Sequence, residues 1–234
     1  MIPVGRRTDG SVNPLNLPTD AVFTKGGFCI KTKKLYIWNM ENLVNEPALK
    51  YNYLTAEEYL FAERNAAVKN ELMNGKIFTM AGASLQHNII VSNLIVDIGG
   101  FLRGKSCRVF PSDMRVNIPG TNSFTYPDLT IVCGKPELLD DHFDNLLNPT
   151  VIIEVLSPST ESYDRGNKFF TYQRIPSLKE YILVDSTAYS IQTIVKKDDD
   201  LWQFTTISDL ASAITIQSIG QTILLPGIYD GVNL

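Results

Sequence analysis

Two acidic residues stand inside apolar runs that are typical of buried β-strands: Asp128 in YPDLTIVCG and Glu154 in TVIIEVLS. An ionised carboxylate in apolar surroundings costs several kcal/mol unless it has a partner, a metal ion or a chemical role. If the two strands are neighbours, the carboxyl groups lie within about 5 Å of each other, which is too close for both to ionise without a cation. Mg2+ or Mn2+ would resolve this conflict, because hard cations bind carboxylates together with waters and substrate phosphates.

Side chains alternate between the two faces of a strand, and this alternation sets the direction of both acids. Asp128 shares a face with Val132, and Glu154 shares a face with Ile152 and Leu156. We therefore expect both carboxylates to point to the same side of a common sheet.

A predicted helix follows Glu154 and carries positive charge in the segment ESYDRGNKFFTYQR. Lys168 comes three residues after Arg165 and four before Tyr172, so the three side chains share one helical face. An ammonium at this place could orient an attacking water, while Arg165, with the hydroxyl of Tyr172 beside it, could meet a phosphate. The pattern predicts metal-assisted hydrolysis of a phosphodiester bond.

Other interpretations of these residues stay open at the level of sequence. Asp128 could cap a turn, Glu154 could form a buried ion pair with Lys168 or Arg165, and Lys168 could be an exposed helix residue. A pair of acids also serves glycoside hydrolysis, although that chemistry would leave Lys168 without a role. A third possibility is a nucleic-acid-binding or scaffold protein that kept the fold and lost the activity. GGFLRGKS lacks the spacing of a phosphate-binding loop, and no GxSxG nucleophile motif is present.

The elements that must position these residues can be predicted from capping and turn signals. Thr55 and Glu58 form a capping box that begins a helix over residues 55–65, and Ser84 caps a long helix in SLQHNIIVSNLIVDIGGFLRG. The Asn-Gly pair in NELMNGKIFTMAG predicts a hairpin with Glu71 on its first strand. Further strands are expected at CRVFPSDMRVNI, YPDLTIVCG, TVIIEVLS and EYILVDS, a helix at residues 161–174, a hairpin in YSIQTIVKKDDDLWQFTTI and a final strand in QTILLPGIYDG.

This order of elements indicates an α/β or α+β domain whose mixed sheet carries helices on both faces. We expect one such domain over residues 51–234, preceded by an N-terminal extension over residues 1–50. The extension contains KTKK and a plausible strand, KLYIWNM. No function can be assigned to it from its sequence.

Composition limits the compartment and the partners. The chain has 234 residues and a net charge of −4, and its N-terminus lacks the apolar run of a signal peptide. No stretch is expected to be long and apolar enough to span a bilayer. The three cysteines, Cys29, Cys107 and Cys133, form no CxxC pair, which argues against disulfides and zinc and favours a reducing compartment. We expect a soluble cytoplasmic protein.

An acidic chain has no overall field that would attract nucleic acid, so phosphates would have to meet a local basic patch. Cleavage of both strands of a duplex would favour a homodimer, because one active site addresses one strand. The residues that could form the patch, within one copy or across a dimer, are Lys31, Lys33, Lys34, Arg103, Lys105 and Arg108.

The succession YPDLTIV, NPTVIIEVLSPST, YDRGNKFFTYQ and IPSLKEYILVD resembles the Uma-two family of candidate restriction endonucleases, within the PD-(D/E)XK nuclease superfamily. The similarity runs from about residue 54 to residue 229. It implies a restriction-endonuclease-like fold with a Mg2+-dependent endonuclease activity on DNA, in which Asp128 is the motif aspartate and Glu154 the second acid.

The superfamily pattern expects a lysine two residues after the second acid, where this chain has Leu156. In the Uma-two pattern that lysine has moved to the following helix, which corresponds to Lys168. The resemblance further implies that Glu71 is an upstream acid and possible third metal ligand, and that His87 is a recurring histidine of the site. A strand-edge salt bridge for Glu71 and a bond from His87 to a nearby loop are the structural alternatives.

Overall fold

The computed structural model describes residues 53–198 and 201–234, together with three short strands in the segment before them. The chain divides into two compact units, Met1–Tyr51 and Asn52–Leu234. In the first unit, β1 Val22–Phe23, β2 Cys29–Lys31 and β3 Lys34–Tyr36 form an antiparallel sheet in the order β1-β2-β3. The side chains of Cys29 and of the predicted basic residues Lys31, Lys33 and Lys34 lie outside the described part of the chain.

The second unit follows the predicted order of helix, hairpin, long helix, strands, helix, strand and hairpin. Its elements are α1 Ala56–Glu63, β4 Asn70–Met73, β5 Lys76–Thr79, α2 Leu85–Leu102, β6 Cys107–Pro111, β7 Arg115–Ile118, β8 Ser123–Thr125, β9 Leu129–Cys133, β10 Asn145–Leu146, β11 Val151–Leu156, α3 Glu161–Tyr163, a π-helical turn Asp164–Lys168, α4 Phe169–Tyr172, β12 Glu180–Asp185, β13 Ile191–Lys196, β14 Trp202–Ile207, β15 Ala213–Ile216, β16 Gln221–Leu224 and α5 Leu225–Ile228. The helix expected over residues 161–174 is therefore a short composite, with a π-helical turn between two α-helical pieces.

A six-stranded mixed sheet forms the centre of this unit, in the order β14-β13-β12-β11-β9-β6. The strand β11 lies inside it, parallel to β12 and antiparallel to β9. All six residues of β11 are buried, which is typical of a strand covered on both faces. Glu154 belongs to this strand and is thus held within the sheet.

The two faces of the sheet are covered by different helices, as the order of elements predicted. Ile153 and Val155 face a core that includes α2 and α5, while Ile152 and Leu156 face a core that includes Phe169 and Tyr172. Val132 on β9 belongs to the same core as Ile152 and Leu156, as strand alternation predicted. Glu154 accordingly points toward Lys168 of the π-helical turn and Tyr172 of α4, while Asp128, just before β9, contacts His87 of α2.

A second, five-stranded sheet has the order β10-β7-β8-β4-β5 and brings Glu71 to the site. The predicted hairpin is present, since Asn74 and Gly75 at its turn have φ angles of 50° and 81°. Two positive φ values are what a type I′ turn requires, and an Asn-Gly pair tolerates them. The predicted capping box of Thr55 and Glu58 begins α1, which packs on this sheet through Tyr59.

The predicted segment CRVFPSDMRVNI divides between the two sheets. Its first half, β6, is an edge of the six-stranded sheet, and its second half, β7, lies in the five-stranded sheet. The backbone amide of Met114 donates to the carbonyl of Pro111 in the turn between them. The two sheets are thus joined by a tight covalent connection.

The expectation that the cysteines form no disulfide is wrong, because Cys107 and Cys133 are bonded to each other. They stand directly opposite one another where β6 pairs with β9. Their separation of 26 residues in sequence gave no sign of this, because only the register of the two strands brings them together. Cys29 lies outside the described side chains.

The helix α2 also corrects an expectation about length. Within the described residues it is the one helix long and apolar enough to cross a membrane, with 18 residues and a mean hydropathy of 1.2. Core helices of globular proteins meet the same criterion. Here Ile90, Leu94, Ile98 and Leu102 are buried and belong to the core on one face of the six-stranded sheet.

Candidate active site

Asp128, just before β9, and Glu154, within β11, are linked by hydrogen bonds between backbone amides and carboxylates. The backbone amide of Asp128 donates to Glu154 Oε2 at 3.3 Å, and the amide of Val155 donates to Asp128 Oδ2 at 2.8 Å. The two acids are brought together because β9 pairs with β11 in the register that sets Leu129 opposite Ile153. The structure brings the two acids close together, as the sequence analysis expected.

Glu154 is the most deeply placed acid of the site, and its side chain is 5% exposed. Burial raises the pKa of its carboxyl group well above the ordinary value, although the Lys168 ammonium opposes that rise. Its Oε1 atom lies 3.0 Å from Lys168 Nζ and 3.0 Å from the Tyr172 hydroxyl. The Tyr172 hydroxyl also contacts Thr125 Oγ1 at 2.9 Å. Together with the Asp128 amide on Oε2, these contacts hold Glu154 from three sides.

Lys168 lies at the centre of a group of three carboxylates and is 7% exposed. Its Nζ atom is 3.0 Å from Glu154 Oε1, 3.1 Å from Glu71 Oε1 and 3.5 Å from Asp164 Oδ1. Burial alone would lower the pKa of this ammonium, but the carboxylates outweigh it and raise the pKa above its ordinary value. Lys168 is therefore a charged group held inside the protein.

Glu71 reaches this cluster from β4 in the other sheet. Its Oε1 atom accepts the backbone amide of Tyr126 at 2.9 Å as well as contacting Lys168. Tyr126 stands two residues before Asp128, so one short segment touches Glu71 and begins the strand that follows Asp128. The hairpin of Glu71 does fold back to the two acids.

His87 lies in the first turn of α2, and Ser84 accepts the His87 backbone amide as the predicted N-cap. Its Nε2 atom is 3.2 Å from Asp128 Oδ2, while its Nδ1 atom is buried without a hydrogen-bond partner among the described residues. The side chains of His87 and Asp128 are 13% and 16% exposed, more than those of Glu71, Glu154 and Lys168. The site thus opens to solvent on the side of Asp128 and His87.

Arg165 is the predicted site residue that the structure does not bring to the cluster. Its Nε atom pairs with Glu161 Oε1 at 2.8 Å, and its Nη1 atom donates to Gln192 at 3.2 Å. The shared helical face predicted for Arg165, Lys168 and Tyr172 assumed α-helical geometry. The π-helical turn, with its i→i+5 hydrogen bonds, changes the angle between these positions and leaves Lys168 and Tyr172 at Glu154.

Asp164 is the residue of the cluster to which the sequence analysis gave no role. It is buried, and burial raises the pKa of its carboxyl group. Its spacing of four residues from Lys168 is a recognised signal for an ion pair on a helix. That signal was present in YDRGNK.

The chemistry of these side chains fits a hard divalent cation. Among the described residues, no group of three His, Cys, Asp or Glu side chains is already arranged as a metal site. The contacts of Asp128 with described residues use Oδ2, and those of Glu71 use Oε1, so each keeps a second carboxylate oxygen. Carboxylate oxygens are the donors that Mg2+ and Mn2+ prefer. Asp128, Glu154 and Glu71 would hold such an ion.

The mixed central sheet, covered by helices on both faces, has the restriction-endonuclease-like fold. A solved structure from Anabaena variabilis, titled a "putative nuclease belonging to DUF820", superposes with a TM-score of 0.65 at 15% sequence identity. The match covers 77% of this chain and 99% of that chain. Residues 56–224 match the Uma2 family model, whose description is "Putative restriction endonuclease". The chain belongs to the Uma2 family, and the resemblance expected from its motifs is confirmed.

Two relatives from Synechocystis sp. extend this comparison. The uncharacterized protein slr1290 is 33% identical over 190 residues, which cover 81% of this chain and 98% of the relative. The uncharacterized protein sll1609 is 37% identical over 152 residues, which cover 65% of this chain and 86% of the relative. Both are similar along most of their own length.

Proposed function

We propose that this protein is a divalent-metal-dependent endonuclease that hydrolyses phosphodiester bonds in DNA. The observation that carries the proposal is the contact of Lys168 with both Glu154 and Glu71, beside an Asp128 that Glu154 holds through its backbone amide. Membership of the Uma2 family supports a nuclease over the glycosidase considered above. Lys168 also has a place in this chemistry, whereas a glycosidase would leave it unused.

Each residue of the cluster has a task in such a reaction. A bound Mg2+ or Mn2+ would supply Lewis-acid stabilisation of the charge that develops on the phosphate and the leaving oxygen. The carboxylates of Asp128 and Glu154 accept hydrogen bonds from backbone amides, and these bonds would hold them in position for the cation. Lys168 donates a hydrogen bond that orients the attacking water, and Tyr172 fixes the Glu154 oxygen nearest to that ammonium.

The substrate would approach the exposed side of the site, where His87 contacts Asp128. His87 lies on that side of the site, and its imidazole is suited to hold a phosphate oxygen or the attacking water in place. The basic residues Arg103, Lys105 and Arg108 follow the other end of α2. At about 1.5 Å per residue, Arg103 at the end of this helix lies roughly 24 Å from His87, so a duplex contact at Arg103 would fall several base pairs from the cleaved bond.

A homodimer would place a second site against the opposite strand of a duplex. This part of the proposal rests on the chemistry of double-strand cleavage. Sedimentation equilibrium of the purified chain, alone and with duplex DNA, measures it directly. A monomer under both conditions would limit the proposed activity to nicking one strand at a time.

Cleavage assays test the proposed activity. Supercoiled plasmid, single-stranded DNA and RNA are incubated with the protein and Mg2+ or Mn2+, with EDTA as the metal-free arm. We expect nicking of DNA by the wild type, and a loss of about 100-fold or more in Asp128→Asn and Lys168→Met. Wild type that cleaves nothing, or variants that cleave as well as it does, would exclude the mechanism; cleavage of RNA alone would exclude the DNA assignment.

A catalytically inactive protein of the same fold is the alternative, and one observation favours it. Lys168 already neutralises part of the charge of Glu71 and Glu154, so the cluster is a satisfied ion-pair network even without a metal. Calorimetric titration with Mn2+ separates the two proposals. Binding that is lost in Asp128→Asn supports the enzyme, while a wild type that ignores the metal and leaves DNA intact supports the scaffold.

A further inference from the structure

Asp164 has a geometric relationship to Lys168 that the other two carboxylates lack. Its Oδ1 atom lies 3.5 Å from Lys168 Nζ, and both residues belong to the π-helical turn. Glu71 and Glu154, in contrast, come from β4 and β11 in two different sheets. Asp164 is thus the one partner in this cluster that moves with Lys168.

The turn that carries Asp164 is itself held in place. The hydroxyl of Tyr181 on β12 donates to the Asp164 carbonyl at 3.1 Å. The preceding residue, Tyr163, stacks on Phe78 of β5, with ring centroids 5.6 Å apart. Since Tyr181 and Phe78 belong to the two sheets, the position of Asp164 is determined from both sides of the site.

The charges of the cluster give Asp164 a specific task once a cation is present. Glu71 and Glu154 now serve as counter-ions of Lys168, and the same two side chains would be ligands of the metal. If they bound a divalent cation, the ammonium would lose much of its charge compensation and would stand close to another positive charge. A buried ammonium in that position needs a carboxylate that is not a metal ligand.

We propose, on the basis of the function proposed above, that Asp164 is the positioning residue that keeps Lys168 at the site when Glu71 and Glu154 bind the cation. Asp164 and Lys168 are both buried, so bulk solvent screens this pair little. Asp164 holds the ammonium in hydrogen-bonding distance of the place where the attacking water must be oriented. It does not touch the substrate.

The test compares Asp164→Asn, which keeps the shape and removes the charge, with Asp164→Glu, which keeps the charge. The matched control is Glu161→Gln, because Glu161 forms an i,i+4 pair with Arg165 on the same segment but away from the cluster. Two quantities are measured for each protein: the Mn2+ affinity by calorimetry without DNA, and kcat and KM for cleavage of plasmid DNA.

We expect Asp164→Asn to bind Mn2+ about tenfold or more weakly, which is an ordinary coupling between two interacting sites. Its kcat should fall by about 10- to 100-fold with KM little changed, because the water is misoriented while DNA binding is intact. Asp164→Glu should recover most of both losses. Glu161→Gln should stay within about twofold of wild type, since exposed ion pairs contribute little.

Asp164→Asn with wild-type Mn2+ affinity and wild-type kcat would overturn the inference and leave the nuclease intact. Equal losses in Asp164→Asn and Glu161→Gln would also overturn it, because they would show a general weakening of the turn. A wild type that neither binds Mn2+ nor cleaves DNA would remove the proposed function and this inference together. If Asp164→Asn does not fold, Asp164→Ser takes its place with the same expected losses.

Discussion

The Glu154 carboxylate accepts a hydrogen bond from the backbone amide of Asp128, and the Asp128 carboxylate accepts one from the amide of Val155, the residue after Glu154. Each acid is therefore held by the backbone beside the other. Neither side chain can rotate away without losing a hydrogen bond in a buried place, which costs about 1–3 kcal/mol. Two potential metal ligands are therefore held in position before any cation arrives.

Removal of the buried ammonium should destabilise the fold. Lys168→Met leaves Glu71, Glu154 and Asp164 without their cation, and breaking a buried pair of this kind costs about 3–5 kcal/mol at pH 7. Burial raises the pKa of Glu154 and Asp164, so their protonated forms favour the folded state at low pH, and this contribution is lost as pH rises. Urea unfolding should show a smaller deficit at pH 5 than at pH 7.

The control for Lys168→Met is Lys179→Met, which changes an exposed lysine nearby in sequence. Its free energy of unfolding should differ from wild type by about 0.5 kcal/mol or less at both pH values. A Lys168→Met protein as stable as wild type at pH 7 would show that the three carboxylates do not depend on this ammonium.

Arg165 should matter little for cleavage, in contrast to the phosphate contact expected for it from a regular helix. Its guanidinium pairs with Glu161 and Gln192 and is 34% exposed. We expect Arg165→Ala to lose about 0.2–1 kcal/mol of stability and to keep kcat/KM for DNA close to wild type. A large rise in KM with unchanged stability would place Arg165 on the substrate after all.

Reduction of the disulfide between Cys107 and Cys133 should lower stability without changing the site. A crosslink that closes a loop of 26 residues is worth about 2–4 kcal/mol in the free energy of unfolding. Cys133 is five residues along the strand from Asp128, or about 17 Å, so Mn2+ binding should be unaffected. The double variant Cys107→Ser, Cys133→Ser should be insensitive to the reductant, and a loss of Mn2+ binding on reduction would contradict the prediction.

The ion pairs of Arg64 should make the stability of the fold depend on pH in the acidic range. Arg64 Nη2 lies 2.7 Å from Asp140 and 2.9 Å from Asp144. Its guanidinium lowers the pKa of Asp140 by hydrogen bonding, and the pKa of Asp144 is lowered as well although burial opposes it. Stability gained from a lowered pKa is present above the unfolded value of about 3.9 and is lost as pH falls through the folded value.

We therefore expect Arg64→Met to lose about 1–2 kcal/mol at pH 7 and less at pH 3, because pH 3 lies below the unfolded pKa and part of the stability from the two lowered pKa values is already lost there. Denaturant unfolding at the two pH values measures the difference. Arg174→Met, at an exposed arginine, serves as the control and should show no such pH dependence. A deficit that is equal at pH 3 and pH 7 would mean that Arg64 acts through packing.

The parts of this fold that depend on local interactions could be predicted from sequence. The capping box of Thr55, the N-cap Ser84 and the turn at Asn74 and Gly75 each use contacts within four residues. The common core of Val132, Ile152 and Leu156 followed from strand alternation alone.

What could not be predicted depends on register and on an irregular helix. The disulfide needed the pairing of β6 with β9, which no spacing of cysteines reveals. The π-helical turn changed the angle between Arg165 and Lys168, so Arg165 pairs with Glu161 away from the cluster while Lys168 lies within it. The contact of Glu71 with Lys168 needed two sheets to meet, and only the family resemblance suggested it.

The lysine of this cluster lies on the helix that follows the strand. Position 156 on the strand therefore holds a core residue, Leu156, which is 1% exposed. The spacing from Glu154 to Lys168 depends on the turn at residues 157–160, which can gain or lose a residue more easily than a buried strand can. A search for relatives that demands a lysine two positions after the second acid would miss such chains. A search for an acid in an apolar strand, followed by a helix with Asp and Lys four residues apart, would find them.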